Sequence, residues 1–206
     1  MKYIIMCGGN YHTKQLKFLS CVKGETIVQR TIRLLRQTGV EDIAISSNYK
    51  RLEGFGVPVL HHSNKFDIYN PKTYWYDAFY PTDEPVCYIF GDVVFSEYAI
   101  NYIVNYKTTR IEFFASAPPF PKNYMKKWAE PFAFKVVDTK YFWECVNKAK
   151  RWQDEGRFSR WPVSWELWQV IQKSEINRIK PDYCIINDFT CDCDTQLEAR
   201  EIEKYM

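Results

Sequence analysis

Short apolar runs and helical patterns alternate along the first sixty residues. Residues 2–7 are largely apolar and end at two adjacent glycines, which is typical of a short buried strand. Residues 25–37 repeat apolar positions every three or four residues, and Gly39 suits the C-terminal cap of the predicted helix. Residues 40–48 and 57–60 then predict two further strands. This order predicts parallel strands joined by right-handed crossovers.

The remainder of the chain predicts a mixture of strands and helices. Residues 86–96 form a long apolar run that Gly91 and Asp92 interrupt. The other strand-like segments are 111–116, 132–137 and 183–188, and the helix-like segments are 71–80, 97–106, 141–152, 160–172 and 195–205. The expected fold is therefore α/β: a single three-layer domain over residues 1–206 with a mixed, mostly parallel central sheet.

Composition and charge exclude several classes of function. The 28 Lys and Arg residues exceed the 25 Asp and Glu residues by 3, and no basic stripe accompanies the aromatic residues, so nucleic acid is not an expected partner. No apolar segment approaches the ~20 residues that a membrane span needs, and the N-terminal apolar run is too short for a signal peptide. Seven cysteines without framework-like spacing indicate free thiols and a cytoplasmic location.

The first candidate motif is the glycine turn after the first strand. Gly8, Gly9 and Asn10 follow the apolar run, and Lys17 lies downstream. Bare backbone N–H groups can approach a phosphate there, and a lysine can neutralise its charge. Taken alone, the glycines are explained better by a tight surface turn, and the chain has neither the Walker nor the Rossmann glycine pattern.

The second and third motifs are acidic. Asp92 follows a strand at the carboxyl edge of the predicted sheet, where open α/β folds bind ligands. Asp188, Asp192 and Asp194 precede the last helix and suit Mg²⁺, although helix capping explains them better when they are taken alone. Together, a phosphate-accepting turn, a lysine and carboxylates on two strand ends are the parts that a Mg²⁺–nucleotide enzyme needs.

These motifs, in their order along the chain, resemble a known family. The segment MCGG…LKFLSCVKGETIVQRTIRLLRQTGVEDIAISSN resembles the N-terminal segment of the sugar-phosphate nucleotidyltransferases, which include MobA-like proteins and small cytidylyltransferases. FGDVVF is similar to the family's Gly-Asp motif, and CDCDT is similar to its second acidic motif. The resemblance covers nearly the whole chain. It implies a nucleotide-diphospho-sugar transferase fold of the GT-A or Rossmann-like type.

The resemblance also implies roles for individual residues. Lys17 would contact the nucleotide α-phosphate, and Lys17, Asp92 and Asp194 would form the catalytic set. Mg²⁺ would be the cofactor, with Asp92 and Asp194 as its ligands and Asp192 as an alternate. The implied nucleotide-binding residues are Cys7, Gly8, Gly9, Asn10, Lys17, Ser47 and Gly91.

The implied reaction joins a nucleoside triphosphate to a phosphorylated small molecule and releases pyrophosphate. Residues 1–100 would bind the nucleotide and residues 101–206 the acceptor. The resemblance to the small cytidylyltransferases implies CTP as the nucleotide. The implied acceptor is a sugar phosphate or a phosphocholine-like alcohol phosphate. The implied role is in surface polysaccharide or glycoconjugate biosynthesis. The acceptor-binding candidates, chosen for their charge and aromatic character, are Glu130, Lys135, Trp165 and Glu166. A homodimer is left open.

One departure from the family pattern keeps two alternatives open. The loop GGNYHTKQLK contains no arginine to clamp the nucleotide phosphates, and His12 and Lys14 are the basic residues nearest to that role. A GT-A-type glycosyltransferase that uses a nucleotide sugar shares the fold and the acidic residue after a central strand. A degenerate module that binds nucleotide without turnover is the second alternative.

Overall fold

A seven-stranded sheet lies at the centre of the computed structural model, which describes residues 1–8, 16–62, 66–67, 70, 72–117, 129–176 and 182–206. Within these residues the strands are β1 (Lys2–Met6), β2 (Cys21–Val22), β3 (Glu25–Thr26), β4 (Ile43–Ser47), β5 (Val59–His61), β6 (Val86–Phe90), β7 (Val93–Val94), β8 (Ile111–Ser116), β9 (Pro131–Val136), β10 (Cys184–Ile186) and β11 (Cys191–Asp192). The helices there are α1 (Ile27–Gln37), α2 (Glu97–Asn105), α3 (Thr139–Asp154), α4 (Ser164–Gln172) and α5 (Gln196–Ile202). Over the same residues, no helix combines the length and apolar character needed to cross a membrane.

The strand order across the sheet is β10–β8–β9–β6–β1–β4–β5. β1 pairs in parallel with β4 and β6, β4 pairs in parallel with β5, and β8 pairs in parallel with β10. β9 runs antiparallel to both of its neighbours, β6 and β8. The mixed, mostly parallel sheet predicted from the sequence is therefore confirmed.

The central strands are covered on both faces. Every residue of β4 and β6 is buried, and four of the five residues of β1 are buried. Strands buried on both faces have nearly continuous apolar sequences, which is why β1 and β6 were recognisable as short apolar runs. Such burial requires a layer on each face of the sheet, in agreement with the predicted three-layer fold. α1 packs beside α2, and α3 packs beside α4.

Local sequence fixes where α1 begins and ends. Thr26 and Gln29 form a capping box, in which Gln29 N donates to Thr26 Oγ1 at 3.3 Å and Thr26 N donates to Gln29 Oε1 at 3.0 Å. Gly39 has a φ of 82°, the left-handed conformation that favours glycine after a helix. The helix begins two residues later than predicted because β3 pairs with β2 in a hairpin.

Two other segments differ from their predictions. Residues 71–80, expected to be a short helix, contain a single 3-10 turn at Trp75–Ala78 among the described residues. Aromatic side chains dominate this segment, and their helix propensity is low. The run 86–96 divides into β6 and β7 because Gly91 and Asp92 form a turn between them.

Lys135, an acceptor-binding candidate, is buried at the end of α2. The residue is 5% exposed, and its Nζ donates to the carbonyl oxygens of Ile103, Val104 and Tyr106 at 2.9, 2.8 and 2.9 Å. The last carbonyls of a helix have no partner within the helix, and a cation stabilises them. Burial lowers the pKa of Lys135. Lys135 therefore stabilises the fold and does not line the cleft described below.

Replacing Lys135 with methionine should destabilise the protein. The variant keeps most of the aliphatic length but leaves three carbonyl groups without their donor, so the free energy of unfolding should fall by roughly 2–4 kcal/mol. Urea unfolding measures this difference. Lys140→Met, on an exposed position of α3, is the control and should stay within about 0.5 kcal/mol of the wild type. A Lys135→Met protein as stable as the wild type would contradict the capping role.

Candidate active site

The candidate site lies at the carboxyl ends of β1 and β6, where the strand order reverses. Within the sheet, β4 and β5 lie on one side of β1, and β6 lies on the other side. Crossovers that leave a sheet in opposite directions open a crevice between them, and open α/β folds bind their ligands there. Gly8 follows β1 at this edge, and Asp92 follows β6. Both residues line one cleft.

Gly91 lets the two strand ends approach each other closely. Its N–H donates to Met6 O at 3.0 Å. A Cβ atom on Gly91 would lie 2.5 Å from Met6 O and 2.6 Å from Cys7 Sγ, so no side chain fits at this position. The absence of a side chain thereby allows Asp92 to lie beside the end of β1.

Gly8 packs against His62, a residue that no sequence pattern indicated. A Cβ atom on Gly8 would lie 2.8 Å from His62 Cε1 and 2.9 Å from His62 Nε2. Burial lowers the pKa of His62, and the neighbouring His61 lowers it further, so the ring stays neutral near pH 7. Packing is therefore one reason for glycine at position 8. Gly9 and Asn10 lie outside the described residues.

A short antiparallel ladder joins the two acidic motifs, which are far apart in the sequence. β7 follows Asp92 directly and pairs with β11, which ends at Asp192. The N–H of Cys193 donates to the carbonyl oxygen of Asp92 at 2.8 Å. This pairing brings Asp92 and Asp194 to the same side of the cleft.

A small separate core supports this ladder. Its buried members come from β2, α1, β7, β11, α5 and the residue after β11: Val22, Ile27, Val94, Cys191, Cys193, Ala199 and Ile202. At the start of α5, the Gln196 side chain accepts from Cys21 N at 2.9 Å and donates to Cys21 O at 2.8 Å. These contacts hold the hairpin that follows Lys17 against the helix that follows Asp194.

Lys17 lies between the carboxylates of Asp92 and Asp194. Its Nζ donates to Asp194 Oδ1 and lies 3.7 Å from Asp92 Oδ2, and its side chain is 18% exposed. Burial by itself would lower the pKa of Lys17, but the charges of Asp92, Asp194 and Asp192 raise it. Lys17 therefore keeps its positive charge at neutral pH.

The three aspartates of the second acidic motif have different surroundings. Asp194 contacts Lys17, and Asp192 lines the cleft. Asp188 instead accepts from Ser96 Oγ and, at 2.7 Å, from Thr190 N, and Ser96 is the N-terminal cap of α2. Asp188 therefore supports the cap of α2, whereas the last helix, α5, is capped by Thr195, whose side chain accepts from Glu198 N. Within the described part of the chain, no group of three or more His, Cys, Asp and Glu side chains is arranged to hold a metal ion.

Cys7 and Ser47, two of the nucleotide-binding candidates, are buried at the edge of the site. Ser47 Oγ donates to Cys7 O at 2.8 Å and accepts from Tyr49 N at 3.1 Å. Burial raises the pKa of Cys7, and the charge of Asp92 raises it further, so the thiol stays protonated. The Ser47 side chain therefore fixes the backbone at the end of β1.

The remaining part of the cleft is mostly apolar. Trp75, on the 3-10 turn, packs edge-on against Phe90 with ring centroids 5.6 Å apart. The high aromatic content was the one sequence signal for such a wall, and it did not distinguish Trp75 from the other six tryptophans. The lining here combines apolar residues with one carboxylate and one hydroxyl: Trp75, Ala78, Phe90, Pro131, Val163, Glu130 and Ser164.

Two further acceptor candidates, Glu130 and Trp165, lie in different parts of the structure. Glu130 lines the cleft. Trp165 is 5% exposed and packs edge-on against Phe113 and Tyr183, with centroids 5.0 and 5.2 Å apart. Trp165 therefore belongs to the core behind the cleft. Trp128, in the same part of the sequence as Glu130, lies outside the described residues.

Glu166, the last acceptor candidate, fixes the beginning of α4. The residue is 1% exposed. Its Oε1 accepts from Arg160 Nε at 2.5 Å, and its Oε2 accepts from Val163 N at 2.8 Å. Both oxygens are thus engaged by the segment that leads into the helix. The consequence is that Val163 and Ser164 are held at the wall of the cleft.

Solved nucleotidyltransferases share this fold. No family model and no curated protein matches the chain. A 4-diphosphocytidyl-2C-methyl-D-erythritol synthase from Anaerococcus prevotii matches with a TM-score of 0.59 and 12% identity, over 99% of this chain and 94% of the other. A protein assigned as a glucose-1-phosphate thymidylyltransferase from Bacillus anthracis matches with a TM-score of 0.60 and 14% identity, over 98% and 94%. The chain therefore has the nucleotidyltransferase fold that the sequence resemblance implied.

Proposed function

We propose that the protein is a nucleotidyltransferase that joins a nucleoside triphosphate to a phosphorylated small molecule and releases pyrophosphate. The observation that carries this proposal is the position of Lys17 between Asp92 and Asp194, in a cleft at the carboxyl ends of β1 and β6. The shared fold supports it, because proteins with this fold include a protein assigned as a glucose-1-phosphate thymidylyltransferase.

In this reaction an oxygen of the acceptor phosphate attacks the α-phosphorus of the nucleotide. A bond forms between that oxygen and the α-phosphorus, and the bond to the departing pyrophosphate breaks. Lys17 supplies a fixed positive charge where the five-coordinate phosphorus is most negative. The cleft holds both reactants in line, so that positioning and charge account for most of the catalysis.

Mg²⁺ fits the acidic side of the cleft. Asp92 and Asp194 lie on either side of Lys17, and Asp192 lines the cleft, so carboxylate oxygens are concentrated on this side of it. Mg²⁺ prefers oxygen ligands and takes one or two carboxylates, leaving room for water and phosphate oxygens. Asp92 and Asp194 are the proposed ligands, with Asp192 as the alternate. When bound, the ion would neutralise charge on the nucleotide phosphates.

The proposed donor is CTP, and the proposed acceptor is a phosphocholine-like alcohol phosphate rather than a sugar phosphate. CTP is supported by the resemblance of the motifs to the small cytidylyltransferases. The acceptor is supported by Trp75 and Glu130, because an aromatic face and a carboxylate suit a cationic head group. A sugar would need more hydrogen-bonding side chains than the described residues of this wall offer. The product would serve surface polysaccharide or glycoconjugate biosynthesis.

Wild-type protein with Mg²⁺ should release pyrophosphate with one of the four nucleoside triphosphates, expected to be CTP, when a pool of phosphorylated metabolites is supplied. Asp92→Asn should lower kcat about 100-fold or more, because it removes a charged carboxylate that would hold Mg²⁺. Asp182→Asn, at an exposed position, is the control and should keep the wild-type rate. A coupled pyrophosphate assay gives all three rates.

Two other results would contradict this proposal and favour one of the two alternative functions. Free nucleoside diphosphate from nucleotide sugars, without pyrophosphate from any triphosphate, would identify a GT-A-type glycosyltransferase. Nucleotide binding with neither product would identify a binding module, which the loop without an arginine favours.

Lys17→Met should lower kcat about 100- to 1,000-fold, because the α-phosphate loses its fixed cation. Lys17→Arg keeps the charge and should recover part of the rate. Steady-state kinetics gives the three rates. A Lys17→Met rate equal to that of the control Lys140→Met would exclude a catalytic role for Lys17.

Trp75→Leu should raise the KM for a quaternary-ammonium acceptor by about 2- to 30-fold, which corresponds to the usual strength of a cation–π contact. The KM for CTP should not change. Trp152→Leu, on α3, is the matched control and should leave both constants unchanged. Equal KM values for wild type and Trp75→Leu would favour the sugar phosphate instead.

A further inference from the structure

The beginning of α4 lines the same cleft as Lys17 and Asp92. Val163 precedes the helix, and Ser164 is the first of its nine residues. The first N–H groups of a helix have no acceptor within the helix, and the helix dipole places positive partial charge at this end. An anion is therefore favoured at the point where α4 meets the cleft.

Ser164 carries a hydroxyl group without a hydrogen-bond partner among the described residues. The residue is 1% exposed, yet it contributes to the lining of the cleft. A buried hydroxyl that lacks a partner costs free energy, and alanine has a higher helix propensity than serine. A ligand in the cleft can supply the partner that the protein does not.

The charges around Ser164 are compatible with an anion. Glu166 lies in the same helical turn, but both of its oxygens are engaged, by Arg160 Nε and by Val163 N. The Arg160 guanidinium offsets this carboxylate, and the Arg160 side chain remains 52% exposed. Glu130 lines the cleft as well, and its charge suits the cationic end of the proposed acceptor better than its phosphate.

We propose that Ser164 Oγ and the first-turn N–H groups of α4 bind the phosphate group of the acceptor, while Lys17 serves the nucleotide. A phosphate combines negative charge with several acceptor oxygens, which is what a serine hydroxyl and a helix N-terminus recognise together. The identification of the ligand as the acceptor rests on the proposed function. The anion site itself does not require turnover and is tested separately.

Inorganic phosphate is the probe for the anion site. The rise in Tm with added phosphate is measured for wild type, Ser164→Ala and Ser46→Ala. Ser46 is the matched control, because it is 0% exposed in β4, its hydroxyl also lacks a partner among the described residues, and it does not line the cleft as the described residues form it.

Wild type and Ser46→Ala should show the same phosphate-dependent rise in Tm, because a ligand stabilises the state that binds it. Ser164→Ala should lose more than half of this rise. Without phosphate it should be at least as stable as the wild type, because an unpartnered hydroxyl has been removed. A smaller loss in Ser164→Ala, or a wild type that phosphate does not stabilise, would overturn the proposal.

Steady-state kinetics then tests whether this anion site binds the phosphate group of the acceptor. Ser164→Ala should raise the KM for the acceptor about tenfold or more and leave the KM for the nucleotide unchanged. Ser46→Ala should change neither. An unchanged acceptor KM, or an equal rise in both constants, would overturn the assignment. Absence of turnover in every protein would refute the proposed function, whereas the phosphate titration would still decide the anion site.

Discussion

The pairing of β7 with β11 is the constraint on which the candidate site depends. It joins two acidic segments about a hundred residues apart and places Asp92 and Asp194 on one side of the cleft. Carboxylates held this close repel each other unless a cation lies between them. Lys17 supplies that cation, and its raised pKa is the electrostatic consequence of the pairing. The small core beneath the ladder keeps the three groups in place.

The cleft combines two chemically different parts. Its charged part lies at the reversal of the strand order, where Gly91 allows the ends of β1 and β6 to approach closely. Its apolar part is formed by the 3-10 turn that carries Trp75, by the first residue of β9, and by the beginning of α4. Under the proposed function, a nucleotide bound together with Mg²⁺ would occupy the first part, and an acceptor with a small, weakly hydrogen-bonding body would occupy the second. This division supports a reaction between two unlike substrates.

The buried polar side chains separate into two groups according to whether the protein satisfies them. Lys135 and Glu166 make two or three hydrogen bonds each, and these bonds fix the end of α2 and the beginning of α4. Ser164 has no such partner among the described residues, although it lies in the first turn of the helix that Glu166 holds in place. Buried polar groups that have hydrogen-bond partners stabilise the fold, whereas a buried group without a partner at the wall of a cleft indicates a ligand site.

The amino-acid sequence by itself determined the main elements and the order of the acidic motifs. Apolar runs and the glycine after α1 are local signals, because they depend on residues a few positions apart. The tertiary structure decided the rest. The position of Trp75 in the cleft, the burial of Lys135 beneath α2 and the unpartnered hydroxyl of Ser164 depend on contacts between distant segments. A charged or aromatic residue has the same local sequence signature in a core, in a cap or in a binding site, and packing alone distinguishes these places.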